Sequence, residues 1–272
     1  MISRVARYVV LGILGLLWLL PIYLLLANAS KSNAEFSGSQ LWTTGNLGAF
    51  WGNVVDVFTT TNVPGGLGVS AVYAVVAPVI AVILGACVGF AVIVLKLKHG
   101  FTWFFLVFCG TVFPIQMMVI PWFSFSANTG LYDTIVGMII IYSIVALPFS
   151  AFVMRNFFTG ISESVFEAAV VDGANVWRIF TRIYLPMSTS ALVVVFILQA
   201  TWVWNDFLLS LILTQTSARP VMPLLNALQS TEGGGPGYTV TLTAALLVSI
   251  PTAALFLFTQ KFFQKGLALG QY

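Results

Sequence analysis

Six long apolar runs restrict the possible folds of this 272-residue chain more than any other feature. About 20 apolar residues rise about 30 Å as a helix, which matches the hydrocarbon thickness of a bilayer. The runs therefore predict an all-α integral membrane protein with six transmembrane helices in a single domain, residues 1–272. The predicted spans are 5–27, 69–95, 103–123, 134–153, 191–213 and 240–262.

Composition excludes a water-soluble domain. Hydrophobic residues make up 59% of the chain and charged residues 7%, whereas soluble domains carry roughly 25% charged residues. The mean hydropathy is +1.00. A soluble fold could not bury this much apolar surface, so the lipid bilayer is an expected partner.

The basic residues predict the topology, because they concentrate in cytoplasmic segments. With both termini in the cytoplasm, only Lys31 and Arg219 lie outside. The basic residues placed inside are Arg4, Arg7, Lys96, Lys98, Arg155, Arg178, Arg182, Lys261 and Lys265. These residues belong to four separate segments and form no continuous stripe, so we expect no nucleic-acid partner.

The loop 155–187 is the most informative cytoplasmic connection. Apolar residues recur in it at three- and four-residue intervals, namely Phe166, Ala169, Val170, Gly173, Val176, Trp177 and Phe180. This spacing predicts one or two short amphipathic helices with a break at Gly173. The pattern alone leaves three surfaces that could cover the apolar face: the membrane surface, the protein's own helix ends or a partner protein. Residues 164–167 also fit a capping box, a purely structural role for Glu167.

The same loop carries a family resemblance. Glu167-Ala168-Ala169, then Gly173, then Ile183-Tyr184-Leu185-Pro186 resemble the complete EAA motif of ABC importer permeases. The chain departs from its relatives at Ser162, where they usually carry proline. Further stretches are similar to the MalG-like carbohydrate subfamily: Pro114-Ile115-Gln116, Ile120-Pro121, Gly130 to Thr134, Arg155 to Phe158, Asp172-Gly173-Ala174 and Trp204 to Leu208.

The resemblance implies a type I ABC importer permease fold and a function. The chain would be a permease subunit of an importer for a sugar or sugar derivative in a bacterial or archaeal inner membrane, and not itself an enzyme. It would bind no cofactor or metal, since ATP and Mg²⁺ belong to the ATPase. Implied partners are a second homologous permease, two copies of the ATPase, an external solute-binding protein or lipoprotein, and the carbohydrate.

Within that resemblance, the loop 155–187 is the coupling segment. Glu167 would contact a basic residue of the ATPase and Gly173 would allow the bend. The implied coupling residues are Glu167, Ala168, Ala169, Asp172, Gly173, Trp177, Arg178, Ile183, Leu185 and Pro186. The external loop 214–239 would reach into the solute-binding protein through Gly233, Gly234, Gly235, Pro236 and Gly237, whose composition favours turns.

Polar residues in the predicted fifth span suggest a substrate path. Such groups are expensive at membrane depth and usually face a bundle interior or an aqueous cavity. Gln199, Trp202, Asp206 and Ser210 share one face of a continuous helix. With Asn205 beside them and Gln116 on the third span, they are the candidate lining, because tryptophan and amides suit sugars. The alternative is hydrogen bonding between helices.

Two other classes of protein compete with this interpretation. An intramembrane enzyme would need paired catalytic groups within the bilayer, and the sequence contains no such pair or metal-binding motif. An ion-coupled secondary transporter stays open as the alternative, although such proteins commonly contain duplicated halves and no convincing internal repeat is found here.

Overall fold

A computed structural model describes residues 4–36, 40–229 and 237–268. Within these ranges 80% of the residues are helical and none is in a strand, which confirms the all-α prediction. The α-helices are α1 (Arg4–Ala29), α2 (Leu47–Thr60), α3 (Val63–Ile93), α4 (Gly100–Phe108), α5 (Ile115–Thr129), α6 (Ile135–Thr159), α7 (Glu163–Val171), α8 (Val176–Ile179), α9 (Leu185–Met187), α10 (Thr189–Trp204), α11 (Leu208–Leu213), α12 (Val221–Ala227) and α13 (Tyr238–Ala268).

Among the described residues, four helices are long and apolar enough to cross a bilayer: α1, α3, α6 and residues 238–260 of α13. Two bent pairs raise the number to six if each pair is one span. The chain bends by 95° between 100–111 and 115–129, and by 75° between 176–187 and 189–204. The first bend lies within the third predicted span, and the second lies at residue 188, just before the fifth.

The third predicted span, 103–123, is interrupted near Pro114. Helix α4 ends at Phe108, a 3₁₀ turn covers Cys109–Thr111, and α5 begins at Ile115. Pro114 is the N-cap residue of α5, with a ψ of 127°. Because proline has no N–H and disfavours a helical conformation in the residue before it, the helix cannot run through this position.

The fifth predicted span, 191–213, is interrupted at residues 205–207. Helix α10 ends at Trp204 and α11 begins at Leu208. The Asp206 carboxylate accepts the N–H groups of Leu209 at 3.4 Å and Ser210 at 2.9 Å, which starts a new helix instead of continuing the old one. The candidate substrate residues therefore do not share one helix face.

The chain divides into two compact units, of which the first comprises residues 1–67 and 223–251. Several polar contacts of this unit involve Asn53 of α2. Its side-chain amide donates to the backbone oxygens of Ala29 at 2.9 Å and Lys31 at 2.8 Å. The Thr239 hydroxyl donates to Asn33 at 2.7 Å. The buried Lys31 ammonium donates to Asn28 at 2.9 Å. These bonds hold the end of α1, helix α2 and the start of α13 together.

The second unit comprises residues 68–222 and 252–272. Within it, α3 and α6 approach closely at Gly85 and Gly89. A Cβ atom built on Gly85 would lie 2.7 Å from the Ala151 nitrogen, and one on Gly89 would lie 2.8 Å from the Arg155 nitrogen. Backbone atoms cannot move aside as a flexible side chain can, so this helix contact requires glycine at both positions.

Alanine substitutions in α3 should therefore have opposite effects at two glycines. Gly85→Ala should lower the unfolding temperature, because its methyl group meets the α6 backbone. Gly68→Ala should raise it slightly, because nothing lies within 4 Å and alanine favours a helix interior by about 1 kcal/mol over glycine. Thermal unfolding in detergent, followed by tryptophan fluorescence, measures both. A shift of the same sign in the two variants would contradict the close contact.

Candidate functional sites

The loop 155–187 begins with α7, whose start differs from the predicted capping box. The helix begins at Glu163 with Ser162 as N-cap, and Ser164 lies inside it. The Ser162 side chain makes no capping bond and instead lies 2.8 Å from the Ser164 hydroxyl. The capping-box role of Glu167 is therefore wrong, and its exposed carboxylate is available for another contact.

The predicted break at Gly173 is present and has a defined geometry. Gly173 has a φ of +77°, and its N–H donates to the Val170 oxygen at 3.0 Å. The next N–H, that of Ala174, donates to the Ala169 oxygen at 3.0 Å. These two bonds form a Schellman motif, which ends a helix with a left-handed residue and favours glycine there. Asn175 then caps α8 by accepting the Arg178 N–H at 2.8 Å.

One face of the loop packs on the protein's own helices. Ala169, Ile179, Phe180 and Tyr184 are buried in a cluster with Ala86 and Phe90 of α3 and Met154 and Phe158 of α6. The Phe90 ring lies 5.0 Å from that of Phe180 and 5.1 Å from that of Tyr184. The loop is thus joined to both long helices by aromatic contacts.

The other face is apolar and exposed. We call it the loop patch; it consists of Val170 (50% exposed), Val171 (86%), Val176 (49%) and Trp177 (70%). Residues 170 and 171 end α7, and 176 and 177 begin α8, so the two pairs lie on either side of the Gly173 turn. An exposed apolar patch of this kind is typical of an interaction surface.

The structure therefore corrects the predicted docking face, residues 166–180. Ala169 and Phe180 are buried, and Phe166 is partly buried against the cluster, whereas Val171, which the spacing did not select, is the most exposed residue of the patch. The implied coupling residues also fall into an inward-packed group and an exposed group. Ala169, Ile183 and Leu185 pack inward, and Glu167, Ala168, Asp172, Gly173, Trp177, Arg178 and Pro186 are exposed.

An ion pair fixes the start of α7. The Lys96 ammonium, just after α3, pairs with the Glu163 carboxylate, and this hydrogen bond raises the pKa of Lys96. Both side chains are mostly exposed, so the pair contributes little to folding stability. Its effect is to join the segment after α3 to the coupling loop.

A cavity of about 810 Å³ lies in the second unit and contains four of the six candidate substrate residues: Gln116, Trp202, Asn205 and Asp206. Residues of α10 and α11 form one wall, and Thr252, Leu255 and Phe256 of α13 form another. The break in the fifth predicted span lies at this cavity, so the interruption exposes polar groups that a continuous helix would have placed elsewhere.

The other two candidate residues do not line the cavity. Gln199 is buried and donates to the Ala146 oxygen of α6 at 3.3 Å, which is the alternative role of hydrogen bonding between helices. Ser210 is fully buried, and its hydroxyl donates to the backbone oxygen of Asp206 at 3.0 Å. Both residues therefore support the structure around the cavity.

Sequence reasoning missed a third feature, the anchor at Asp133. This residue lies between α5 and α6 with a φ of +54°. Its carboxylate accepts the backbone N–H of Gln215 at 2.8 Å and the Thr216 hydroxyl at 2.9 Å. The Ser217 hydroxyl donates to the Asp133 backbone oxygen at 2.7 Å. Burial would raise the pKa of Asp133, but these hydrogen bonds outweigh it and hold the pKa well below its usual range.

Two buried residues of α3 hold the chain just after the Asp133 contacts. The Tyr73 hydroxyl donates to the Ala218 oxygen at 2.8 Å, and the Ser70 hydroxyl accepts the Val221 N–H at 2.9 Å. Gly233, Gly234, Gly235 and Pro236 lie outside the described residues. Gly237 is described, with a φ of +84°, and a Cβ atom there would overlap the Asn33 side chain.

Within the part of the chain that the structure describes, no group of three His, Cys, Asp or Glu residues could hold a metal ion. The features present are membrane-crossing helices, a polar cavity within a helical unit, and a two-faced loop with an exposed apolar patch. Together they define a multi-pass membrane transport protein.

The chain belongs to the family of binding-protein-dependent transport system inner membrane components, whose sequence profile matches residues 81–267. It is 28% identical to the inner membrane ABC transporter permease protein YcjP of Escherichia coli, over 99% of this chain and 96% of that protein. It is 25% identical to the diacetylchitobiose uptake system permease protein NgcG of Streptomyces coelicolor, over 93% and 84%.

A solved structure shares the fold. The crystal structure of a bacterial ABC transporter involved in the import of the acidic polysaccharide alginate matches with a TM-score of 0.82 at 23% identity. The match covers 97% of this chain and 99% of the other. The predicted type I permease fold and the ABC importer permease assignment are therefore confirmed. As a member of this family, the chain works with an ATPase and a solute-binding protein.

Proposed function

We propose that this permease imports a sugar or sugar derivative and is driven by ATP through the loop 155–187. The observation that carries the proposal is the two-faced loop. Its outer face is exposed and apolar, and its inner face is packed on α3 and α6. A partner that moves the loop patch would therefore move the ends of two long helices.

The remaining assembly follows from this role. A second homologous permease would complete a heterodimer, and two copies of the ATPase would bind ATP and Mg²⁺, so that this chain itself binds no cofactor. Both termini would be cytoplasmic, and the loop 214–239 would meet an external solute-binding protein or lipoprotein. The nine-to-two distribution of basic residues supports this orientation.

A carbohydrate substrate is supported by two independent observations. The cavity presents aromatic rings, Trp202, Phe207 and Phe256, next to the amides of Gln116 and Asn205. Sugar rings have apolar faces and hydroxyl edges that match such a mixture of groups. In addition, the similar Streptomyces protein is a permease of a diacetylchitobiose uptake system.

The test is uptake of radiolabelled disaccharides by vesicles that contain the assembled importer and its solute-binding protein. We expect uptake to require ATP and to survive a protonophore. Gly173→Val should lower it, because a β-branched residue strains the left-handed turn by about 1–2 kcal/mol, a five- to thirtyfold shift in the loop conformation. Gly160→Val is the matched control, since Gly160 ends α6 with a φ of −83°.

The alternative predicts the opposite result. Uptake that persists without ATP and stops with the protonophore would identify an ion-coupled secondary transporter. Normal ATP-driven uptake by Gly173→Val would separate the loop from the coupling mechanism while leaving the importer assignment in place.

A further inference from the structure

The cavity in the second unit is lined by a single charged side chain among its described residues. Of the described residues that line it, only Asp206 is charged; the other polar side chains are amides and hydroxyls, such as Gln116, Asn205 and Thr201. We infer that Asp206 makes this cavity select against anionic substrates, so that the sugar it passes carries no carboxylate, sulfate or phosphate. This inference rests on the proposed carbohydrate transport.

The Asp206 carboxylate is held in place by donors. Its Oδ2 atom accepts the Tyr142 hydroxyl at 2.8 Å and the Ser210 N–H at 2.9 Å, and its Oδ1 atom accepts the Leu209 N–H at 3.4 Å. Three donors suit an ionised carboxylate, which acts only as an acceptor. The carboxyl group of Asp206 is thus held at the point where the fifth predicted span is broken.

Tyr142 is the positioning residue of this site. It is completely buried on α6, and its ring meets that of Trp202 edge to face, with 5.9 Å between centroids. One side chain therefore orients both the charged group and the largest aromatic ring of the cavity. Because its hydroxyl reaches Asp206 from another helix, the position of the carboxylate depends on the contact between α6 and the break at 205–207.

The electrostatic consequence is a difference in affinity between matched sugars. Like charges a few ångströms apart repel strongly where the surroundings are less polarisable than water. An anionic sugar should therefore bind at least about tenfold more weakly than its neutral counterpart, whereas an amino sugar should bind at least as well as the neutral one. The solved structure with the same fold belongs to an importer of an acidic polysaccharide, so the inference requires the two proteins to differ in charge preference.

The experiment uses the assembled importer in detergent and three β-1,4-linked disaccharides. These are neutral cellobiose, its uronate derivative and the amino sugar chitobiose, with dissociation constants measured by ligand-observed NMR. In wild type we expect cellobiose and chitobiose to bind and the uronate to bind at least about tenfold more weakly. The ratio of the uronate dissociation constant to the cellobiose dissociation constant measures the selection. Asp206→Asn should reduce this ratio to about two.

Two further variants separate charge selection from general damage. Asp56→Asn removes a carboxylate that does not line the cavity, so the ratio should stay as in wild type. Tyr142→Phe keeps the ring and the Asp206 carboxylate but removes the hydroxyl that positions it, so the ratio should change by less than in Asp206→Asn. A loss of packing alone would weaken all three sugars equally and leave the ratio unchanged.

Three outcomes would overturn the inference. The first is equal binding of cellobiose and its uronate in wild type, and the second is a tenfold gap that persists in Asp206→Asn. The third is no binding of any of the three sugars. Because ATP-driven uptake is measured separately, each of these results would leave the test of the proposed function intact.

Discussion

Replacing Val171 by aspartate should prevent the permease from assembling with its ATPase. Val171 is 86% exposed at the end of α7, and it lies in the loop patch with Val170, Val176 and Trp177. A carboxylate buried there without a partner would cost several kcal/mol, and each 1.4 kcal/mol is a factor of ten in affinity. Co-purification of the ATPase should fall at least about tenfold, and substrate-stimulated ATP hydrolysis should fall with it.

Two control variants define what the result means. Leu97→Asp places the same charge on an exposed apolar residue outside the loop patch and should leave assembly intact. Ala169→Asp places it in the buried cluster and should lower the unfolding temperature of the isolated permease, which Val171→Asp should not change. Normal ATPase binding by Val171→Asp would show that the loop patch is not the docking surface.

Replacing Asp133 by alanine should release the segment 215–218, which is the first part of the loop 214–239. In wild type, the carboxylate accepts backbone N–H groups from Gln215, Thr216, Ser217 and Ala218. Hydrogen bonds to a charged acceptor contribute about 1.5–3 kcal/mol each. Amide hydrogen exchange at 215–218 should therefore accelerate at least about tenfold, and activation of ATP hydrolysis by the solute-binding protein should weaken.

The depressed pKa of Asp133 sets the pH dependence of this anchor. A carboxyl group whose pKa is lowered by folding stabilises the folded state above its unfolded pKa, and this contribution is lost as the pH falls through the folded pKa. Protection of residues 215–218 should thus not change between pH 5 and 8 beyond the intrinsic exchange rate. Asp56→Ala is the matched control, and unchanged exchange in Asp133→Ala would contradict the anchoring role.

The sequence predicted the broad architecture because hydrophobic length is a local property. The α1, α3, α6 and α13 helices were found from apolar runs alone, since each run is long enough to cross a bilayer. The interruption at Pro114 follows from the sequence, because proline removes a backbone donor and indicates a kink or break. The break at Asp206 was missed, since a single aspartate does not reveal that Tyr142 and two backbone N–H groups will hold it.

The sites were predicted less completely, because burial depends on partners that are distant in sequence. Periodicity placed Ala169, Phe180 and Val176 on one face, but it could not show that Phe90 and Phe158 cover the first two and leave the third exposed. Asp133 lies in the family-like stretch Gly130 to Thr134, but the sequence did not indicate its acceptor role, since that role depends on residues more than 80 positions away. Polar side chains at membrane depth, by contrast, indicated Gln116 and Asn205 as a candidate lining, and both residues line the cavity, while their role in a substrate path stays a prediction.

The two-faced loop also separates the residues that choose a partner from those that maintain the fold. The inward residues are fixed by their contacts with α3 and α6, whereas the valines of the loop patch are exposed and only Trp177 reaches the cluster, through a ring contact with Phe180 at 6.0 Å. Val170, Val171 and Val176 could therefore be exchanged for the corresponding residues of another permease without repacking the core. Such a graft offers a route to importers that accept a different ATPase, with transport and energy supply combined as interchangeable parts.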